Sequence, residues 1–159
     1  MKQLSWKLVL PLTIVSLTIF TKWWYVLPVD APDSMMYGFP IPYSCNGWHT
    51  SMSYQFFLIE FLFDLLVHYT FWFVVALLIN KYVIKIRQNK IVTIFLLGIV
   101  GLLIVQLIFI ASVSDNIYKF KRQFDVEILK TGYRFVWDGY SRPENFDFDE
   151  YEKNKKDKK

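Results

Sequence analysis

Apolar residues in this 159-residue chain are gathered into long runs, not spaced periodically. Three runs stand out: Leu4 to Val26, Gln55 to Asn80 and Ile91 to Val113. About 20 mostly apolar residues cross a hydrocarbon core of roughly 30 Å, so each run predicts a membrane-spanning helix. The first begins like a signal peptide, with Lys2 and Lys7 before a short apolar centre. It lacks a small-x-small cleavage pattern, and Trp23, Trp24 and Tyr25 follow instead as an aromatic belt at a membrane surface. It therefore reads as an uncleaved first span, with Pro11 tolerated in an early turn. Gly98 and Gly101 in the third run fall short of a GxxxG pairing pattern.

Polar residues interrupt the second run at Glu60, Asp64 and His68. At 3.6 residues per turn these form one stripe along a helix face. An ionisable group at mid-membrane depth costs at least about 2.5 kcal/mol and normally faces protein or water. Matched depth predicts a buried layer of Lys22, Glu60 and Gln106, with Ser16 and Thr18 nearer Asp64 and Thr13 near His68. One reading of the stripe is interhelical glue. Another is a proton relay, since carboxylate and imidazole groups lie one turn apart. A third, a metal site, has three ligands on one face and no fourth from the other spans. No metal and no cofactor is expected.

Between the first two runs, residues 27–53 hold four prolines and two glycines, which exclude a regular helix. GFPIPY reads as an extended, polyproline-like segment, and Ser51 or Ser53 as an N-cap for the second helix. Tyr37, Phe39, Tyr43, Trp48 and His49 make the loop unusually aromatic, and such patches mark docking surfaces more often than catalysis. Beyond the third run, Ile117, Phe120, Phe124 and Ile128 fall at helical spacing, predicting an amphipathic interfacial helix within 114–137. Tyr133 to Trp137 reads as a short strand or an anchoring segment. Residues 138–159 are acidic, then lysine-rich, and read as disordered.

Composition sharpens this picture. Hydrophobic residues make up 54% of the chain and aromatics 19%, which rejects an ordinary soluble domain. The net charge of +4 sits in lysines at segment ends, so the partner it implies is the lipid bilayer and not nucleic acid. Lys81, Lys85, Arg87 and Lys90 place the 81–90 connection in the cytoplasm by the positive-inside rule. The N-terminus then lies inside, and the aromatic loop and C-terminus outside. Abundant Lys, Ile, Phe, Tyr and Asn suggest an AT-rich bacterial genome. Cys45, the only cysteine, allows no internal disulfide, and Cys45 with His49 lacks a second ligand pair. There is no GxSxG, HExxH or glycine-rich phosphate loop, which leans against an enzyme.

The sequence thus predicts an all-α integral membrane protein of three spans, in a bacterial cytoplasmic membrane. Its expected role is that of an accessory or assembly subunit engaging other membrane proteins or itself. The alternative is a proton- or cation-translocating component built on Glu60, Asp64 and His68.

Overall fold

The computed structural model describes residues 5–29, 33–47, 53–83, 85 and 90–138. The all-α expectation does not hold. The chain folds as three helices and a six-stranded mixed sheet in the order β5-β4-β3-β2-β1-β6.

The first correction falls inside the first apolar run. A π-helical turn (Ser5–Val9) leads into helix α1 (Leu10–Ile19), which stops where strand β1 (Phe20–Pro28) begins. From Thr18 to Val26 the run is almost wholly β-branched and aromatic. Such residues lose rotamer freedom in a helix and pack well on a pleated surface. A membrane aromatic belt has the same composition, so hydropathy alone does not separate the two.

Strands β2 (Ser34–Tyr37) and β3 (Ser44–Asn46) follow, then β4 (Tyr54–Phe57), which runs straight into helix α2 (Leu58–Leu78). The second helix therefore starts three residues later than expected, and Ser53 precedes a strand instead of capping a helix. A π-helical turn (Ile79–Val83) extends α2, and helix α3 (Lys90–Ala111) comes next. The expected amphipathic helix is replaced by strands β5 (Ile117–Lys119) and β6 (Val126–Phe135). Long-range pairing overrides the helical spacing there. β5 lies parallel to β4, and β6 pairs antiparallel with β1 from Phe20↔Phe135 to Pro28↔Val126. Of the charged tail only Asp138 is described.

One residue from each of β1 to β4 builds the core of the sheet: Val26, Met36, Cys45 and Phe57. Trp24, Phe124 and Val126 pack against them, Phe124 meeting Phe57 edge to face at 5.8 Å. Phe57 lies beside one edge strand and Val126 on the other, so the sheet must curl to bring both to one core. A register shift leaves Leu129 of β6 as the extra residue opposite the step from Tyr25 to Val26, both of which are buried. Two glycines are required by close approach. A Cβ on Gly132 would stand 2.4 Å from the Trp23 ring, and Gly38 combines φ +150° with the Ile41 carbonyl 2.2 Å from such a Cβ.

All three helices meet the sheet at one end, where α1 finishes, α2 starts and α3 finishes. Asn116 fixes the last junction, donating to the Ile110 carbonyl and accepting from the Tyr54 amide. α1 packs against both α2 and α3, whereas among the described residues α2 and α3 form no packed pair of their own. Two helices, Leu58–Val83 and Lys90–Ala111, are long and apolar enough to cross a membrane. The first apolar helix, Trp6–Ile19, falls short at ~1.5 Å per residue, so among the described residues such helices number two and not three.

Candidate functional site

The sheet reaches down the side of α2. Trp72 donates its indole N–H to Ser16 Oγ at 2.9 Å, which ties α1 to the middle of α2. The first three turns of α2 run beside the connections of the sheet, and the face they turn to them carries Glu60, Asp64 and His68. These residues are 9%, 0% and 6% exposed.

Each stripe residue meets a different piece of the sheet's connections. Glu60 Oε1 accepts the Arg122 amide at 3.1 Å, from the crossover joining β5 to β6. Asp64 Oδ1 accepts the Ile41 amide at 3.1 Å, from the β2–β3 connection. His68 donates Nδ1–H to the Asp64 carbonyl at 2.9 Å and meets Phe39 edge to face at 6.0 Å. Carboxylates that accept backbone N–H groups satisfy amides that leave the sheet ladder. Glu60 Oε2 and Asp64 Oδ2 stay buried without a partner among the described residues.

The layer expected from matched depth is not assembled. Lys22 lies on β1 with its ammonium 3.7 Å from the Trp24 ring centroid and 5.8 Å from that of Tyr133. Gln106 lines a cavity elsewhere. Thr13 bonds the Val9 carbonyl and Thr18 the Ile14 carbonyl, both within their own helix. The matched-depth argument assumed a helix to Val26, and the change to strand at Phe20 removes its basis.

The loop aromatics expected to dock partners are packed within the chain where they are described. Phe39 contacts Phe20 and Tyr133 at 5.4 and 5.7 Å, and Tyr43 meets Phe61 at 5.4 Å. Tyr37 lies beneath the Arg134 guanidinium, 5.5 Å from ring centroid. Burial, then the neighbouring Asp64 charge, pushes the Tyr43 phenol up to about 12. Trp48 and His49 lie outside the described residues. The GFPIPY segment bends between β2 and β3 with a cis Phe39–Pro40 bond and is not a continuous extended stretch.

Sequence reasoning missed a cavity of about 1080 Å³ between the helix ends and one face of the sheet. Leu17 and Ile19 of α1, Leu58 and Phe61 of α2, and Leu103, Leu107 and Ile110 of α3 form its apolar wall. The sheet contributes Thr21, Tyr37, Ser44, Phe56 and Arg134. Thr21 and Arg134 are cross-strand partners, and Thr21 Oγ1 and Arg134 Nε are both buried without a hydrogen-bond partner among the described residues. Gln106, flagged in the sequence for its depth, faces this space. Among the described residues no group of three His, Cys, Asp or Glu side chains is arranged to hold a metal.

Compared with protein-family models, with curated proteins and with solved structures, the chain shows no significant match to any.

Proposed function

We propose that this chain is an integral membrane accessory protein, held by α2 and α3, with its sheet as a cap at one membrane face. The observation that carries this reading is the surface of α3. Of the 22 residues in this helix only Val100 is buried, and Ile91, Ile94, Phe95, Leu102, Val105, Ile108 and Phe109 stand open. A helix apolar all round is at home in lipid or against other helices. Exposed Tyr118, Phe120, Tyr133 and Trp137 near the junction fit an interfacial aromatic belt. The basic 81–90 connection lies at the opposite end of the helices and faces the cytoplasm in this reading, the cap facing outward. Within it, the buried acids fasten the cap to α2 and leave α3 as the docking face for a partner helix.

The test places a photoreactive amino acid at Leu102 or Ile108 in native membranes resistant to alkaline carbonate. A discrete protein adduct from these positions, absent from Val100, is expected. Adducts to lipid alone at every α3 position would overturn the docking role, and release by carbonate would overturn the membrane reading.

One observation favours a second reading, a proton or cation pathway: the unpartnered buried oxygens of Glu60 and Asp64. It requires pH-dependent flux in reconstituted vesicles that Asp64→Asn removes. Equal flux in the variant would dismiss it.

A further inference from the structure

We propose that the cavity between the sheet and the helix ends binds one anionic phospholipid, its phosphate on Arg134 and its acyl chains along α2 and α3. The proposal rests on the membrane reading above and names a ligand for a different surface.

Charge comes first. No Asp or Glu occurs among the described residues lining the cavity, whereas Arg134 and Lys119 both do. Arg134 holds its guanidinium over Tyr37 and leaves Nε buried, its N–H unspent among the described residues. A guanidinium is always charged and presents donors in a fork that matches phosphate oxygens. A buried, unspent donor of this kind calls for an anion. Thr21 Oγ1 is a second unspent polar atom on the neighbouring strand, and Gln106 supplies an amide from α3.

Shape and location specify an amphiphile over a free anion. Most of the wall is aliphatic or aromatic, and about 1080 Å³ exceeds what a phosphate group fills. The lining residues of α2 belong to its first turns and those of α3 to its last three, so the cavity lies at headgroup depth for helices that span a bilayer. Among the described residues α2 and α3 flank it without forming a packed pair, so helix packing does not close it against acyl chains. This gives Gln106, the deepest polar side chain of α3, a partner that the stripe does not supply.

The experiment is native mass spectrometry of the detergent-purified full chain, titrated with phosphatidylglycerol, phosphatidylcholine or inorganic phosphate. Wild type should hold one phosphatidylglycerol and bind it at least tenfold tighter than phosphatidylcholine. Arg134→Gln should lose that tenfold, Arg134→Lys should keep part of it, and Leu107→Trp, which fills the cavity from α3, should abolish retention. Circular dichroism and melting temperature show whether each variant folds, and Leu107→Trp keeps the test open if Arg134→Gln does not. Equal binding of the two lipids, or retention unchanged in folded Arg134→Gln and Leu107→Trp, overturns the proposal. Displacement by millimolar phosphate would assign the site to a free anion, and a lipid-free dimer would assign it to a second copy; both overturn it. Carbonate extraction separates the failures. A membrane-retained chain without the lipid refutes this site alone, whereas a released chain that still selects phosphatidylglycerol refutes the membrane reading and supports the site.

Discussion

The cap and the helices solve the burial of apolar surface in opposite ways. In the cap, Val26, Met36, Cys45 and Phe57 are fully buried against one another, each brought in by a different strand. Along α3 most apolar side chains stand exposed, Leu96, Ile99, Leu103 and Ile110 are half-buried, and only Val100 is fully buried. A sheet satisfies its backbone across strands and so needs neighbours, and it encloses a core by curling. A helix satisfies its backbone internally and tolerates an apolar surround on every side. The cap therefore depends on the chain for its stability, while α3 depends on what surrounds it.

Two substitutions probe this contrast most strongly. Phe57→Ala should cost the cap about 3–5 kcal/mol, because it removes a fully buried aromatic ring that Phe124 packs on. Tryptophan fluorescence in detergent should report an early cap transition while far-ultraviolet helicity persists. Simultaneous loss of helix and cap would show that the two are one cooperative unit. Leu102→Arg, near the middle of α3 and 75% exposed, should leave the cap intact and cost about 2.5–3.5 kcal/mol of insertion. Glycosylation mapping of inserted chains measures that loss, and unchanged insertion would remove α3 from lipid.

The stripe on α2 lies where the two regimes meet, and its substitutions sharpen the comparison at the boundary. Asp64→Leu strands the Ile41 amide beside the helix, and a buried donor left unpaired costs about 1–3 kcal/mol. Glu60→Gln keeps an oxygen for the Arg122 amide and should cost less. The melting temperature in detergent should fall in that order. A melting temperature that rises in Asp64→Leu would mean that the acid is retained at a cost to stability, and would move weight to the pathway reading.

Much of the helical half was legible because long apolar runs carry their own signal. Glu60, Asp64 and His68 were readable as one face from spacing alone, and that face is buried. What covers it was not readable, since Ile41, Phe39 and Arg122 reach it through pairing of residues far apart in sequence. Strand β1 was hidden by its own composition: Phe20, Trp23, Trp24 and Tyr25 are as suited to a membrane interface as to a pleat. Its alternation, Thr21 and Trp23 on one face against Lys22 and Trp24 on the other, was the available signal. The helical spacing of Ile117, Phe120, Phe124 and Ile128 runs across β5, the crossover and the start of β6, and the pairing of β5 with β4 and of β6 with β1 overrides it. Arg134 and Thr21 had no local signature, because only the register of β1 and β6 makes them neighbours.

The smallest effect uses the thiol inside the cap as a reporter. Burial, opposed weakly by the charges of Lys119 and Arg122, pushes the Cys45 thiol up to about 12. An alkylating reagent needs the thiolate, so at pH 8 the folded cap should resist iodoacetamide and react only when it opens. The same shift has a definite sign in stability. Below the ordinary thiol range folded and unfolded chains both hold the proton, and the stabilisation is fully present. As pH rises from about 8.5 toward 12 the unfolded chain loses it first, so the cap weakens by at most about 1.4 kcal/mol per pH unit. Tyr43 adds a second loss of the same sign above pH 10, its phenol also lying at about 12 when folded. Cys45→Ala should therefore flatten the fall in cap stability between pH 8.5 and 9.5 and leave the Tyr43 part untouched. α3 holds neither Cys nor Tyr, so the alkaline loss should appear in the cap transition and leave helicity in place. Helix and cap melting together at pH 9.5 would mean that opening the cap exposes the junction at Asp64 and takes the helices with it.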